Sequence, residues 1–225
     1  MVKHYESNSV FHYPWEYVAT AFWWRYPNPY SKHVLSEDVL WREQSGNILL
    51  TKRIFTKTNS LPKWGERFIP AKLVHILEES LVDREKKVLT TLTKNIGFSK
   101  VMSVVEKVTY RPCAENPDCT NVSREAWIES EMFGFRKAIE AFGYERFKLN
   151  SKKASAGFKI VLAAAFPQLA SQQNGIPKPP SSERLKEAAR ETAKRASDIA
   201  KETASPLFAA CNFEKMEKLV MDDDA

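Results

Sequence analysis

Ile139-Glu-Ala-Phe-Gly-Tyr-Glu-Arg-Phe-Lys-Leu-Asn-Ser-Lys-Lys-Ala-Ser-Ala-Gly-Phe-Lys-Ile160 is the stretch on which the fold turns. It holds no proline and is rich in good helix formers, so it predicts one long helix over roughly residues 133–168. Ile139, Phe142, Arg146, Asn150, Lys153, Gly157 and Ile160 recur at three- and four-residue spacing and share one stripe of that helix. The stripe that should pack on the rest of the domain is therefore interrupted by three polar residues. Burying two bare cations is costly, so Arg146 and Lys153 either snorkel to water, pair with strand carboxylates, or face a cavity that takes an anion.

Upstream of the helix, seven stretches read as strands: 2–11, 33–43, 48–58, 72–82, 87–95, 101–111 and 121–131. Ser45-Gly-Asn47 marks a hairpin turn, and Asp83-Arg-Glu-Lys-Lys87 marks another. Connections this short, without intervening helical periods, predict an antiparallel meander and an α+β fold. Pro14 opens a short helix on which Trp15, Val18, Ala19 and Phe22 fall on one face, and Pro27 and Pro29 stop it beyond Arg25. Residues 1–170 then form the folded domain. Residues 171–182, rich in Gln, Pro, Ser and Lys, read as a linker. Residues 183–204 read as an amphipathic helix with a narrow alanine stripe among Glu, Lys and Arg, and 205–225 as a flexible acidic tail.

The 225 residues suit one domain with an appendage, and 43% hydrophobic and 28% charged residues are ordinary for a soluble globular chain. Of the net charge of +6, residues 171–225 contribute 9 Lys+Arg against 10 Asp+Glu, which leaves 25 against 18 in residues 1–170. The folded part is basic and suits an anionic partner, either nucleic acid or an anionic membrane. The basic residues are scattered over strands and no RNA or DNA motif occurs, which argues against nucleic acid. No apolar run reaches the ~18 residues of a transmembrane helix. The first residues, Met1 to Ser7, lack both the apolar core of a secretory signal and an Arg-rich presequence, so import into an organelle would use another route.

Three cysteines, Cys113, Cys119 and Cys211, are too few for a disulfide framework and lack zinc-site spacing. Cys113 and Cys119 flank a turn and are either a local bridge or unpaired thiols. Nucleotide, serine-hydrolase and metalloprotease motifs are absent, and the four histidines lack metal-ligand spacing, so no cofactor and no enzymatic activity is expected. The segment Pro62-Lys-Trp-Gly-Glu-Arg-Phe-Ile-Pro70 sets Trp64, Phe68 and Ile69 beside Lys63 and Arg67. Such a loop either serves as a lid that touches an anionic bilayer or caps the core.

Arg25-Tyr-Pro-Asn-Pro-Tyr-Ser-Lys-His-Val34 closely resembles the signature of the PRELI family. Thr56-Lys-Thr-Asn-Ser-Leu-Pro-Lys-Trp64, Arg124-Glu-Ala-Trp127 and Phe142-Gly-Tyr-Glu-Arg-Phe147 leading to Asn150 agree with it, over roughly residues 1–168. The resemblance implies a curved seven-stranded antiparallel sheet wrapped on the long helix, a helix-grip or START-like fold, with a lipid cavity between them and a mobile loop over its mouth. It implies headgroup binding by Arg25, His33, Lys57, Arg146, Asn150 and Lys153, with Ile139 and Phe142 among the residues lining the apolar part. It further implies non-enzymatic transfer of phosphatidic acid or phosphatidylserine between mitochondrial membranes, across the intermembrane space, with transient contact to anionic membranes. The implied protein partner is a small helical hairpin with twin Cys-x9-Cys motifs. Because the helix after residue 183 resembles the extension of the branch linked to phosphatidic acid, that lipid is expected, in support of cardiolipin synthesis. The alternatives are phosphatidylserine transfer, a basic nucleic-acid-binding protein, and a hydrolase or cyclase on the same scaffold, for which His33 is the candidate acid/base.

Overall fold

Alternation of inward and outward side chains along seven strands, followed by one long helix, organises the chain. The computed structural model describes residues 2–58 and 73–170. The expected lid residues Lys63, Trp64, Arg67, Phe68 and Ile69, and the expected linker, amphipathic helix and tail after residue 170, lie outside the described residues. The elements are β1 (Lys3–Phe11), α1 (Trp15–Ala21) with a 3-10 turn (Phe22–Trp24), β2 (Val34–Ser45), β3 (Ile48–Thr58), β4 (Leu73–Asp83), β5 (Val88–Ile96), β6 (Ser103–Pro112), β7 (Thr120–Glu129) and α2 (Arg136–Ala165), closed by a helical turn at Pro167–Ala170.

All seven strands form one open antiparallel sheet in the order β1-β7-β6-β5-β4-β3-β2. Each strand lies within about two residues of its expected span. Pro14 precedes α1 as its N-cap rather than as its first helical residue, with extended ψ of 148°. The expected face of α1 holds, since Trp15, Val18, Ala19 and Phe22 are all buried. The long helix is shorter than expected at both ends, because Gly134 takes a positive φ of 78° before it and Pro167 follows it.

Period-two alternation decides which strand residues face α2. Pairing of Arg53 with Glu78, Glu78 with Thr93, Thr93 with Glu106, Glu106 with Ala126 and Ala126 with Tyr5 runs one such row across β3, β4, β5, β6, β7 and β1. The inward face therefore carries charged residues as well as apolar ones. Two apolar clusters fix α2 on this face. Phe158, Val161 and Leu162 pack with Phe11, Phe22, Val82, Leu89, Tyr110 and Val122, and the first half of the helix meets Tyr5, Ala126 and Ile128 through Tyr144 and Phe147. Burial at this scale contributes about 1.5–3 kcal/mol per large side chain.

The meander gives the sheet two different ends. The β2–β3, β4–β5 and β6–β7 hairpins lie at one end, beside the larger cluster. At the other end lie the start of β1, the termini of β3 and β4 (Thr58 opposite Leu73), the β5–β6 turn and the β7–α2 turn.

Candidate functional site

Between the two clusters the middle of α2 stands off the sheet and leaves a cavity of about 290 Å³. Phe55, Ile76, Val104, Val108, Phe147 and Phe158 supply apolar wall. Arg25, His33, Lys57, Arg146, Asn150 and Lys153 all line this same cavity. They come from four places in the chain: the 3-10 turn, the start of β2, the end of β3 and the middle of α2. Ile139 and Phe142 do not line it, contrary to expectation. Ile139 is buried where the helix begins, and Phe142 lies under the Arg146 guanidinium, whose central carbon is 5.9 Å from the ring centroid.

The loop from Arg25 to Val34 is held by its own polar side chains. Asn28 Nδ2 donates to Arg25 O at 2.7 Å, Tyr30 N donates to Asn28 Oδ1 at 3.0 Å, and Ser31 Oγ donates to Asn28 O at 3.2 Å. Asn28 also packs on Gly157, where an added Cβ would meet the amide Nδ2 at 2.9 Å. This turn carries His33 to the open end of the cavity, where Thr58 N donates to His33 O at 2.8 Å and so ties it to β3.

Charges around the cavity fall into two groups. On the inward sheet face, Arg53 donates through Nε to Glu78 Oε1 at 3.0 Å and pairs with Glu37, while Arg25 pairs with Glu78 and donates through Nη1 to Phe22 O at 3.2 Å. Burial opposes the Arg25 charge, yet Glu78 and its neighbours hold the guanidinium pKa above the ordinary value. Burial likewise raises Glu37, against the pull of Arg53. Arg124 pairs with Glu106, which also accepts from Thr93 Oγ1 at 3.2 Å. These charges are neutralised internally, as buried ions must be.

Lys57, Arg146 and Lys153 differ: among the described residues none has a carboxylate partner. Among the described residues, Arg146 Nη1 is buried without any hydrogen-bond partner, and burial lowers its pKa. His33 is exposed by surface area, but the protein around the ring still desolvates it. That desolvation first, and then the cations Lys57, Arg146 and Lys153, bring its pKa down to about 4. Cations from one strand and one helix thus converge on the imidazole at one opening. Such an arrangement is chemically suited to a multiply charged anion, which could accept charge-assisted hydrogen bonds from it.

The inward charge network was not anticipated from sequence. Its signal was present, since Arg53 and Glu78 fall in phase with buried Phe55 and Val82 on the period of two. Among the described residues no group of three His, Cys, Asp or Glu could hold a metal, and no helix is long and apolar enough to cross a membrane. Cys113 and Cys119 are free thiols at the far end of the sheet, with Cys113 N donating to Cys119 O at 3.0 Å.

Comparison with known proteins agrees with this architecture. Residues 16–168 match the PRELI-like family profile. The chain is 47% identical over 167 residues to PRELI domain-containing protein 1, mitochondrial, of Gallus gallus, covering 72% of this chain and 78% of that protein. It is 36% identical over 169 residues to Protein UPS2, mitochondrial, of Saccharomyces cerevisiae, covering 72% and 73%. Among solved structures, that of TTHA0849 from Thermus thermophilus superposes with a TM-score of 0.52 at 18% identity, over 72% of this chain and 99% of that one. This last likeness speaks to the fold alone, a helix-grip of seven antiparallel strands and a C-terminal helix.

Proposed function

The chain belongs to the PRELI-like family, and from that premise we propose that it is a mitochondrial lipid-transfer protein that extracts phosphatidic acid from one membrane and delivers it across the intermembrane space to another, in support of cardiolipin synthesis. Location follows the relatives, which are named as mitochondrial. The observation that supports the headgroup is Arg146, whose Nη1 is buried with no hydrogen-bond partner among the described residues and which lines the cavity with Lys57 and Lys153, where no lining carboxylate among the described residues is free.

The expected chemistry is binding, with no covalent step. A phosphomonoester of charge between −1 and −2 would accept from Arg146, Lys57, Lys153 and the Asn150 amide, while His33, neutral above about pH 4, would donate one further hydrogen bond. Arg25 would support this cradle rather than touch the phosphate, since Glu78 already takes its charge. Acyl chains would occupy the space among Phe55, Ile76, Val104 and Phe158. Phosphatidylserine is the second reading. It is weaker here because its ammonium needs an acceptor, and the two lining carboxylates, Glu78 and Glu106, are already paired with arginines. Partnership with a small twin Cys-x9-Cys hairpin protein belongs to the same proposal and rests on the family resemblance.

Lys153→Ala and Arg146→Ala should each slow phosphatidic acid transfer between liposomes by at least about tenfold, the equivalent of one lost charge-assisted hydrogen bond. Melting temperature should stay the same or rise, because each change removes an uncompensated cation. Wild-type transfer rates in both variants would sink the proposal. Conversion of the lipid instead of its intact delivery would favour an enzyme, and salt-sensitive oligonucleotide binding without liposome binding would favour the nucleic-acid reading.

A further inference from the structure

We propose that the β5–β6 turn and the β7–α2 turn form one aromatic tip, Phe98, Phe133 and Phe135, which enters the interface of an anionic bilayer beside the cavity opening. This deepens the preceding proposal and rests on its reading of the cavity as a phospholipid site. Phe133 is 99% exposed, Phe135 52% and Phe98 39%. A phenylalanine as exposed as Phe133 is uncommon, and with the exposed parts of Phe98 and Phe135 on neighbouring turns it makes an apolar patch at this end of the molecule.

The two turns act as one body. Glu131 N donates to Lys100 O at 2.9 Å, which joins them directly. Asn95 braces the first turn: its Nδ2 donates to Met102 O at 3.0 Å and to Gly97 O at 3.2 Å, and Val104 N donates to its Oδ1 at 2.8 Å. Phe98 N–Cα is held at a φ of +53°, a left-handed conformation unusual for a bulky residue and retained only where the surroundings enforce it. Its carbonyl accepts from Val101 N at 2.9 Å and Met102 N at 3.0 Å. An aromatic group on a braced turn enters an interface with little loss of conformational freedom.

Position and charge select a bilayer as the occupant. Phe98 lines the cavity and is itself 39% exposed, so the tip begins at the cavity wall. The tip stands at the same end of the sheet as Lys57 and His33, because His75 pairs with both Thr56 and Ile96. Exposed Lys100 and Lys137 flank the phenylalanines, with exposed Glu131 as the one opposing carboxylate there, among the described residues, outside the group of Arg136, Glu129 and Glu140. The attraction to anionic headgroups therefore comes from the two lysines and the mouth cations together. Aromatic groups beside lysines, with the three mouth cations behind them, match an anionic headgroup layer over an apolar interior.

The test uses the full chain and vesicles of phosphatidylcholine, with and without a minority of phosphatidylserine. The double variant Phe133→Ser, Phe135→Ser should float with the anionic vesicles several-fold less than wild type, while its melting temperature and its binding of water-soluble dihexanoyl phosphatidic acid stay unchanged. Photo-crosslinking from p-azidophenylalanine in place of Phe133 should capture phospholipid. Flotation equal to wild type overturns the tip, as does capture of a second copy of the chain or another protein in place of lipid. A wild-type chain that floats through the tip but neither binds dihexanoyl phosphatidic acid nor transfers lipid would uphold the tip and remove the cavity reading.

Discussion

His33 shows how one side chain records its surroundings. Its pKa of about 4, against an ordinary 6.5, comes from desolvation and then from Lys57, Arg146 and Lys153. The folded value is the lower one, so between those two pH values the unfolded chain holds a proton that the folded chain refuses. The His33 contribution to stability is therefore complete above about pH 6.5 and is lost as pH falls towards 4. His33→Asn should flatten the fall in melting temperature across that window. By NMR, the His33 ring should titrate near 4 in the empty protein and move upward when dihexanoyl phosphatidic acid places negative charge among the three cations. A ring indifferent to that ligand would put the anion elsewhere. That Arg146 and Lys153 break an apolar helical stripe was legible in the sequence, but the stripe left snorkelling, pairing and a cavity open, and only the family resemblance pointed to the cavity. The pairing of Arg25 with Glu78 was not legible, since nothing local to Arg25 names a partner 53 residues away.

At the scale of elements, α2 and the Arg25–Val34 turn fit each other at a single point. Gly157 on a helix looks like a weak position that alanine should improve, by up to about 1 kcal/mol on propensity. The contact with Asn28 reverses that sign, because a Cβ there collides with the amide that holds the turn together. Gly157→Ala should lower stability by about 1–3 kcal/mol in urea unfolding and weaken ligand binding by moving His33. A stabilised Gly157→Ala would show that the turn adjusts freely. The strands and the long helix could be read from periodicity and turn residues. Which helical residues reach the cavity could not, because a three-four stripe is wider than the part of α2 that leaves the sheet. Ile139 sits a turn before the first lining residue of α2, Gly143, and Phe142, although next to Gly143 in sequence, lies by the Arg146 guanidinium and not in the cavity wall.

Among the described residues lining the cavity, the paired charges of the sheet face are distinct from Lys57, Arg146 and Lys153, so on the proposed function the empty protein holds an electrostatic cost that an anion would relieve. Dihexanoyl phosphatidic acid at about 100 times its Kd should therefore add about 2.7 kcal/mol and raise the melting temperature by roughly 5–10 °C. Dihexanoylglycerol, with the same chains and no phosphate, should shift it far less, and high salt should narrow the difference. Equal shifts from both would mean that chain burial, and not the cationic opening, holds the ligand. The common end shared by mouth and aromatic tip follows from strand parity in the meander. It could be seen only once the registers were known, because strand spans alone do not tell which connections bear a ligand.

Six of the seven strands are neighbours of the strand that follows or precedes them in sequence, but β1 pairs only with β7, Lys3 opposite Ile128 and Phe11 opposite Thr120. A chain that emerges amino end first, from a ribosome or through a membrane pore, cannot seat its first strand until more than half of its 225 residues have followed. Tyr5 and Phe11 must wait in the open for that partner. The five strands from β2 to β6 can pair as they emerge, but the topology leaves the first strand threadable until late and defers closure of the cavity to the arrival of β7 and the long helix.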